Sequence, residues 1–199
     1  EVAFLYFTIM SKAFVIGNGI SRKQIDIEKL KHHGKVYGCN ALYRDISPHI
    51  LVATDQGISR EIEKSGYSKI HPFYTRRPNS EQGSLEIPKQ WKGWSSGPVS
   101  LALALDHGYR IIYLIGHDFG SIDKQFNNVY AGTENYRAVG SPPTYAGNWV
   151  NQIKTLLETY KKAKIIRVVG DSSAVVSKLA EIDNYTEINI ETFLASINT

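Results

Sequence analysis

The sequence predicts an α/β domain built on one mostly parallel sheet. Short runs rich in Val, Ile and aromatic residues alternate with stretches of helical periodicity, which is typical of successive β-α-β units. The chain has 199 residues, of which 42% are hydrophobic and 21% are charged. These values are those of a globular chain that is long enough to bury a core. We therefore expect a single Rossmann-like domain with about six strands and helices on both faces of the sheet.

The first half of the chain predicts four strands. They are expected at residues 13–17, 35–39, 50–54 and 69–73, where β-branched and aromatic residues favour extended backbone. A helix is predicted at 21–31. A second, polar helix is predicted at 57–64, and Gly66 follows it as a residue that commonly ends helices.

The second half predicts two helices and two strands. Residues 98–106 form a helix that is apolar on nearly every face, so we expect it to lie deep against the sheet. Residues 110–115 form the strongest strand, expected at the centre, and 164–169 form the last clear one. Between them, 148–162 has apolar residues at helical spacing. The segments 74–94 and 116–147 are predicted as long loops, and the tail from residue 171 as one or two short helices.

Composition excludes several classes of protein. The net charge of +4 is mild and scattered apart from one run at 161–167, whereas proteins that bind bulk nucleic acid carry a denser basic face. Cys39 is the single cysteine, so no intramolecular disulfide forms and a reducing compartment is expected. No run reaches the roughly 20 apolar residues of a membrane span. We expect a cytoplasmic protein in which 1–9 are an extension before a natural start at Met10 and 10–199 are the domain.

Residues that follow the predicted strands point to a ligand site. Ligands of parallel sheets bind at the carboxyl ends of the strands, and nearly every such end here is polar, small or aromatic. The candidate binding residues are Gly17, Asn18, Gly19, Ser21, Asn40, Asp55, Ser95, Ser96, Gly97 and Phe119, and the candidate catalytic residues are His117 and Asp118. The pattern as a whole is more informative than any one motif.

The glycine turn after the first strand has two interpretations. Its glycines allow the backbone to approach an anion, and Ser21 and the following amides supply donors. It is not the dinucleotide fingerprint, because Arg22 stands where the third glycine would be. It could equally be a tight turn capped by Ser21.

Amide and hydroxyl residues at other strand ends are also ambiguous. Asn40 both donates and accepts, so it could read a base or a sugar hydroxyl, or close a turn. Ser95, Ser96 and Gly97 open the apolar helix, where free amides suit a carboxylate or phosphate or serve only as a cap.

Charged residues give several further alternatives. Asp55 and Asp118 could hold a divalent cation with phosphate, or one could be a general base, but no D-x-D pair makes a metal necessary. Asp55 could instead cap a helix, and His117 could be structural rather than a base. Arg76 and Arg77 could clamp phosphate or simply be solvated.

Two ordered blocks of sequence resemble bacterial sialyltransferases of the lipooligosaccharide type, which use CMP-sialic acid. The first block is Gly-Asn-Gly-Ile-Ser at 17–21 with Val-Tyr-Gly-Cys-Asn at 36–40. The second is Ser-Ser-Gly at 95–97, Gly-Tyr-Arg at 108–110, Ile-Tyr-Leu at 112–114 and Gly-His-Asp-Phe at 116–119. Together they cover about half the chain.

The resemblance implies a mononucleotide pocket that takes a CMP-sugar donor, with a carbohydrate acceptor and no required cofactor. The residues implied to line it are Asn18, Asn40, Ser96, Gly97, Asp118 and Phe119, with Asp55 at the position of a donor-contacting asparagine. Tyr130 and Tyr136 would stand for tyrosines that bind the departing phosphate. The expected reaction is attack of a sugar hydroxyl on the anomeric carbon while tyrosines and loop amides stabilise that phosphate.

The sequence departs from the family at its general base, a histidine in the loop after this block. Residues 119–170 contain no histidine, and Gly120 replaces a tyrosine. The base would then be Asp118, His117 or a residue of an acceptor loop. Two alternatives stay open: a pterin pyrophosphokinase-like enzyme with Mg²⁺ on Asp55, and a catalytically silent nucleotide or sugar binder.

Overall fold

A computed structural model describes residues 12–197, so the predicted extension at 1–9 lies outside the described residues. The strands are β1 (Lys12–Ile16), β2 (Lys35–Cys39), β3 (Ile50–Ala53), β4 (Phe73–Thr75), β5 (Leu85–Glu86), β6 (Ile111–Ile115), β7 (Lys164–Val169) and β8 (Tyr185–Asn189). The α-helices are α1 (Ile27–Leu30), α2 (Gln56–Lys64), α3 (Ser96–Asp106), α4 (Gly147–Thr159), α5 (Ser177–Ala180) and α6 (Ile190–Ile197). None of these helices combines the length and the apolar character that crossing a bilayer requires.

All eight strands form one sheet in the order β5-β4-β3-β2-β1-β6-β7-β8. Every neighbouring pair is parallel, which confirms the predicted fold class. The chain moves outward from β1 to β5, then returns to place β6 on the other side of β1. The strand order therefore reverses between β1 and β6, and such a reversal opens a crevice at the carboxyl ends of the two strands.

Alternate residues of each strand enter two separate cores. Ala13 and Val15 face the core that contains α3 and α4, whereas Phe14 and Ile16 face the core that contains α1, α2 and α6. Helix α3 is buried along almost its whole length, as its uniform apolar composition predicts. Its one buried hydroxyl in mid-helix, on Ser100, donates to carbonyls of Ser96 and Gly38, so no polar group is lost there.

The structure corrects several predicted elements. The fourth strand, predicted at 69–73, is observed at Phe73–Thr75, because Gly66 has a φ of 78° and leads into a 3-10 turn at Tyr67–Lys69. The helix predicted at 21–31 is a 3-10 helix at Ile20–Gln24 followed by α1, since Ile25 between them is extended. Helix α4 ends at Thr159 rather than at residue 162.

The strand count of eight exceeds the prediction of about six because two edge strands were missed. β5 has two residues, both exposed. β8 has one buried residue among five, so it lacks the apolar run by which buried strands are detected.

Candidate functional site

A cavity of about 350 Å³ lies at the carboxyl ends of β1, β2, β3 and β6. It opens where the strand order reverses, and the N-terminus of α3 and the segment before α4 complete its wall. The structure brings eleven of the fourteen predicted site residues to this cavity: Gly17, Asn18, Gly19, Asn40, Asp55, Ser95, Ser96, Gly97, His117, Asp118 and Phe119. Ser21, Tyr130 and Tyr136 do not line it.

The glycine turn after β1 packs directly on the turn after β6. The amide of Gly19 donates to the carbonyl of Gly116 at 2.8 Å. A Cβ on Gly17 would lie 2.5 Å from that carbonyl oxygen, and one on Gly19 would lie 2.5 Å from a carboxylate oxygen of Asp118. These glycines are therefore needed for the close approach of two turns.

Asp118 is buried and its carboxylate accepts four hydrogen bonds. The donors are the amide of Ser21 at 3.1 Å and the hydroxyls of Ser21, Ser172 and Ser173 at 2.5, 3.0 and 2.8 Å. Burial alone would raise the pKa of Asp118, but the bonds from the serines outweigh it and hold that pKa below its ordinary value. Asp118 is thus an ionised group with both oxygens occupied, and Ser21 acts on it rather than on the cavity.

Two asparagines at neighbouring strand ends each leave an acceptor without a partner. The Nδ2 of Asn18 donates to the carbonyl of Cys39 at 3.1 Å, which ties the turn after β1 to the end of β2. The Oδ1 atoms of Asn18 and Asn40 are buried and accept no hydrogen bond within residues 12–197. Asn40 adopts a φ of 53°, in the left-handed region that asparagine tolerates better than most residues.

The imidazole of His117 lies between Gly17, in the turn after β1, and Gly97, in the first turn of α3. A Cβ on Gly17 would be 3.1 Å from its Cδ2, and a Cβ on Gly97 would be 3.1 Å from its Cε1. His117 is 6% exposed, and burial followed by the charge of Arg167 lowers its pKa to about 4. The ring is therefore neutral at pH 7, and its Nε2 is buried without a hydrogen-bond partner.

Arg76 reaches the N-terminus of α3. Its Nη2 donates to the carbonyl of Trp94 at 2.7 Å, one residue before the N-cap Ser95. Its Nε is buried without a partner, and the side chain forms no ion pair in the described part of the chain. A cation beside the positive end of a helix is electrostatically unfavourable unless an anion binds between them.

Of the other polar side chains around α3, that of Ser96 is committed to the scaffold, whereas those of Ser95 and Asp55 are not. The Oγ of Ser96 accepts from the amide of Thr54 at 3.0 Å and contacts its hydroxyl at 3.0 Å, which fixes the helix to the end of β3. The side chain of Ser95 makes no capping bond. Asp55 is exposed at the cavity and likewise makes no capping bond.

Buried polar atoms without partners concentrate at this cavity. Six side chains in residues 12–197 carry such an atom, and four of them line the cavity: Asn18, Asn40, Arg76 and His117. Native proteins contain few such groups, because each costs free energy unless a ligand or water satisfies it. Their concentration makes this cavity the candidate binding site.

Arg167 supports the turn after β6 and was not among the residues predicted from the sequence. It is fully buried and donates to the carbonyls of His117 at 2.9 Å and Asp118 at 3.0 Å. Its guanidinium lies 4.8 Å from the ring centre of Phe119, which adopts a φ of 53°. A charge in the middle of the apolar strand β7 was the available signal, but it was taken as part of the basic run at 161–167.

Tyr130 and Tyr136 lie against the core of α1, α2 and α6. The hydroxyl of Tyr130 donates to Asp45 at 2.6 Å and accepts from Arg22 at 2.7 Å. The hydroxyl of Tyr136 accepts from the amide of Ala41 at 3.1 Å. Both hydroxyls therefore anchor their loop, and other residues of that loop face the cavity, namely Phe126, Asn127 and Asn128.

The described residues contain no cluster of three or more His, Cys, Asp or Glu side chains with the geometry to hold a metal ion. Asp55 and Asp118 both line the cavity, but the oxygens of Asp118 are engaged by serines. A magnesium site built from these two carboxylates gains no support.

No protein-family model matches this sequence, and a search of curated proteins also gave no match. Solved structures do match. The monofunctional alpha-2,3-sialyltransferase Cst-I from Campylobacter jejuni superposes with a TM-score of 0.53 at 18% identity, over 82% of this chain and 77% of that one. The sialyltransferase CstII from Campylobacter jejuni, in complex with cytidine-5'-monophosphate, gives 0.50 at 17% identity, over 82% and 81% of the two chains. The structure of CST-II with a trisaccharide acceptor and CMP also gives 0.50 at 17% identity, over 81% and 82%. At these identities the likeness shows a shared fold.

Proposed function

We propose that this chain is a sialyltransferase-like protein whose cavity binds a CMP-type sugar donor and transfers the sugar to a carbohydrate hydroxyl. The observation that carries the proposal is the concentration of unpartnered buried polar atoms at the point where the strand order reverses. The fold shared with sialyltransferases crystallised with CMP supports the same ligand class.

The unpartnered atoms specify the chemistry of that ligand. The free oxygens of Asn18 and Asn40 require hydrogen-bond donors, which the exocyclic amine of cytosine and the hydroxyls of ribose supply. Arg76 and the first amides of α3 require an anion, which the phosphate supplies. A cavity of about 350 Å³ falls within the range of small-molecule sites.

In the proposed reaction the acceptor hydroxyl attacks the anomeric carbon, a new C–O bond forms, and the bond from that carbon to the phosphate oxygen breaks. Negative charge grows on the departing CMP, where Arg76 and the α3 amides stabilise it. His117 is the proposed base that takes the hydroxyl proton, because it is neutral at pH 7 and its ring lines the cavity. Asp118 is a positioning residue in this scheme, since its oxygens already accept four bonds.

A catalytically silent binder is the second candidate. A histidine whose pKa is lowered to about 4 is a weak base, and residues 119–170 offer no other histidine. The pyrophosphokinase alternative is not supported by the comparisons or by the carboxylates of the cavity. A cytoplasmic location fits either candidate, because Cys39 is a free thiol.

The test is release of CMP from CMP-N-acetylneuraminic acid, measured by chromatography with and without lactose as acceptor. The transferase predicts CMP release that lactose accelerates. It also predicts a His117→Gln variant that still binds CMP but reacts on the order of 100-fold more slowly. CMP binding without any turnover would identify the silent binder. Absence of both would overturn the proposed function.

A further inference from the structure

The topology collects positive charge at the amino-terminal edge of the sheet, opposite the cavity. The strands β2, β1, β6 and β7 are consecutive in the sheet; β2, β1 and β7 begin at Lys35, Lys12 and Lys164, and Arg110 directly precedes β6. Lys12 and Lys164 both pair with Ile111, so these strand starts lie side by side. At about 4.8 Å between strands the row spans roughly 14 Å.

The turn between α4 and β7 adds two more cations to this row. We call the resulting surface the basic edge, and its residues are Lys12, Lys35, Arg110, Lys161, Lys162 and Lys164. Five of them are exposed and Lys35 is half-buried. Within residues 12–197 none of the six forms an ion pair, and the hydrogen bonds of Arg110 go to two backbone carbonyls.

Some acidic side chains close to the basic edge are already engaged. Glu28 pairs with Lys31 at 2.7 Å, and Glu158 pairs with Lys154. Asp106 accepts hydrogen bonds from the indole of Trp91 and the hydroxyl of Tyr160. Asp183 lies shortly before β8, beside the start of β7, and neither it nor Glu181 forms an ion pair in residues 12–197. The carboxylates of Asp106, Glu181 and Asp183 thus remain without a cation, but they are fewer than the six cations, so this edge keeps a net positive charge.

An exposed apolar side chain lies at the same edge. Ile70 comes shortly before β4 and is 79% exposed, and the exposed Lys69 precedes it. Clusters of four to eight Lys and Arg residues bind anionic lipid headgroups. Apolar side chains beside such a cluster insert at the boundary between headgroups and acyl chains.

We propose that the basic edge is a docking surface for membranes that carry anionic phospholipid headgroups. A row of cations along one sheet edge, with Ile70 farther along the same edge, complements a surface of phosphates above an apolar layer. Docking by this edge leaves the cavity, at the opposite edge, open to a soluble donor. The proposal is independent of the reaction that the cavity performs.

The test is sedimentation of the full chain with vesicles at low and high salt. The vesicles contain phosphatidylcholine alone or phosphatidylcholine with about 30% phosphatidylserine, which gives a clear negative surface potential. We expect binding only to the anionic vesicles, weakened by salt. The variant Lys12→Gln/Lys162→Gln/Lys164→Gln should bind about 100-fold more weakly, at roughly fivefold for each cation. The matched control is Lys23→Gln/Lys89→Gln/Lys124→Gln, which loses the same charge from exposed residues elsewhere and should bind like the wild type.

Three results would overturn the proposal. One is no binding of the wild type to anionic vesicles. Another is equal weakening in both triple variants, which would mean that net charge alone acts. The third is tighter binding to a DNA duplex than to the vesicles, which would assign the edge to nucleic acid. Because all substituted lysines are exposed, melting temperatures should match the wild type. If a variant does not fold, the lipid and salt dependence of the wild type decides.

Discussion

At the scale of single residues, the site depends on contacts that leave no room for a side chain. Gly19 has an ordinary φ of −64°. Glycine is therefore required there because no space exists for a Cβ, and not because of the backbone conformation. The turn that it forms brings the backbone of β1 onto the carboxylate of Asp118, and four donors then hold that carboxylate in one position. Small changes at this contact should therefore affect both stability and binding.

Gly19→Ala is expected to lower the free energy of unfolding by about 1–3 kcal/mol through overpacking and to abolish CMP binding. Denaturant unfolding and titration calorimetry measure the two effects. Gly140→Ala is the control, because its φ of 79° adds backbone strain but its Cβ would meet nothing within 4 Å. If Gly19→Ala binds CMP as well as the control does, the glycine turn is not part of the site.

His117 predicts a specific loss of stability in acid. Its folded-state pKa of about 4 lies below the ordinary value of 6.5, so the unfolded chain takes up the proton first as pH falls. The contribution is complete above pH 6.5 and is lost as pH falls toward 4, about 3 kcal/mol in all. The free energy of unfolding, measured with denaturant from pH 7 to pH 4.5, should fall less in His117→Gln than in the wild type, by most of this amount. The exposed control His33→Gln should show the same fall as the wild type. Parallel slopes for wild type and His117→Gln would mean that the ring is not buried as described.

At the scale of elements, the carboxyl end of β4 and the N-terminus of α3 form the unit that we propose to bind the phosphate. The bond from Arg76 to the carbonyl of Trp94 joins them. The chain offers a close control, because Arg77 is the next residue, is exposed and does not line the cavity.

Arg76→Gln should weaken CMP binding by roughly 10- to 100-fold, the value of a hydrogen bond from a charged group. Arg77→Gln should leave the dissociation constant unchanged. Calorimetry at moderate salt measures both constants. Equal small effects in the two variants would remove Arg76 from the site and leave the α3 amides as the only anion donors.

Elements were predictable from the sequence where burial alone determines them. The central strands and α3 are predominantly apolar, so pattern and structure agree there. The edge strands β5 and β8 are stabilised on one side only and carry exposed residues, so their sequences resemble loops. The break between Ile20–Gln24 and α1 depends on Asp26, whose side chain caps α1 through the amide of Lys29, a contact that periodicity does not register.

At the scale of the whole molecule, the strand order explains which parts of the site could be foreseen. Residues that follow strands converge by topology, so listing strand ends found Asn18, Asn40 and His117. Residues that support those groups come from distant segments. Ser172 and Ser173 reach Asp118 only because β7 lies beside β6. Tyr130 and Tyr136 belong to a loop that passes the cavity, but neither side chain lines it. Their hydroxyls bond to Asp45, Arg22 and the amide of Ala41.

The same topology separates two surfaces. The cavity occupies the carboxyl edge of the sheet, and the basic edge occupies the amino-terminal edge. Lysines that look scattered along the sequence become neighbours because parallel strands start at one edge. The distribution of charge along the sequence therefore underestimates how much positive charge collects at one edge of the sheet.

The central claim is that the cavity binds a cytidine nucleotide through the free acceptors of Asn18 and Asn40. Calorimetric titration of CMP and UMP into the wild type without metal tests it most directly. We predict saturable binding of CMP and at least roughly tenfold weaker binding of UMP, because the uracil carbonyl would leave a buried acceptor unsatisfied. Asn40→Leu should lose the binding of CMP. No heat from CMP, or equal affinity for CMP and UMP, would contradict the account.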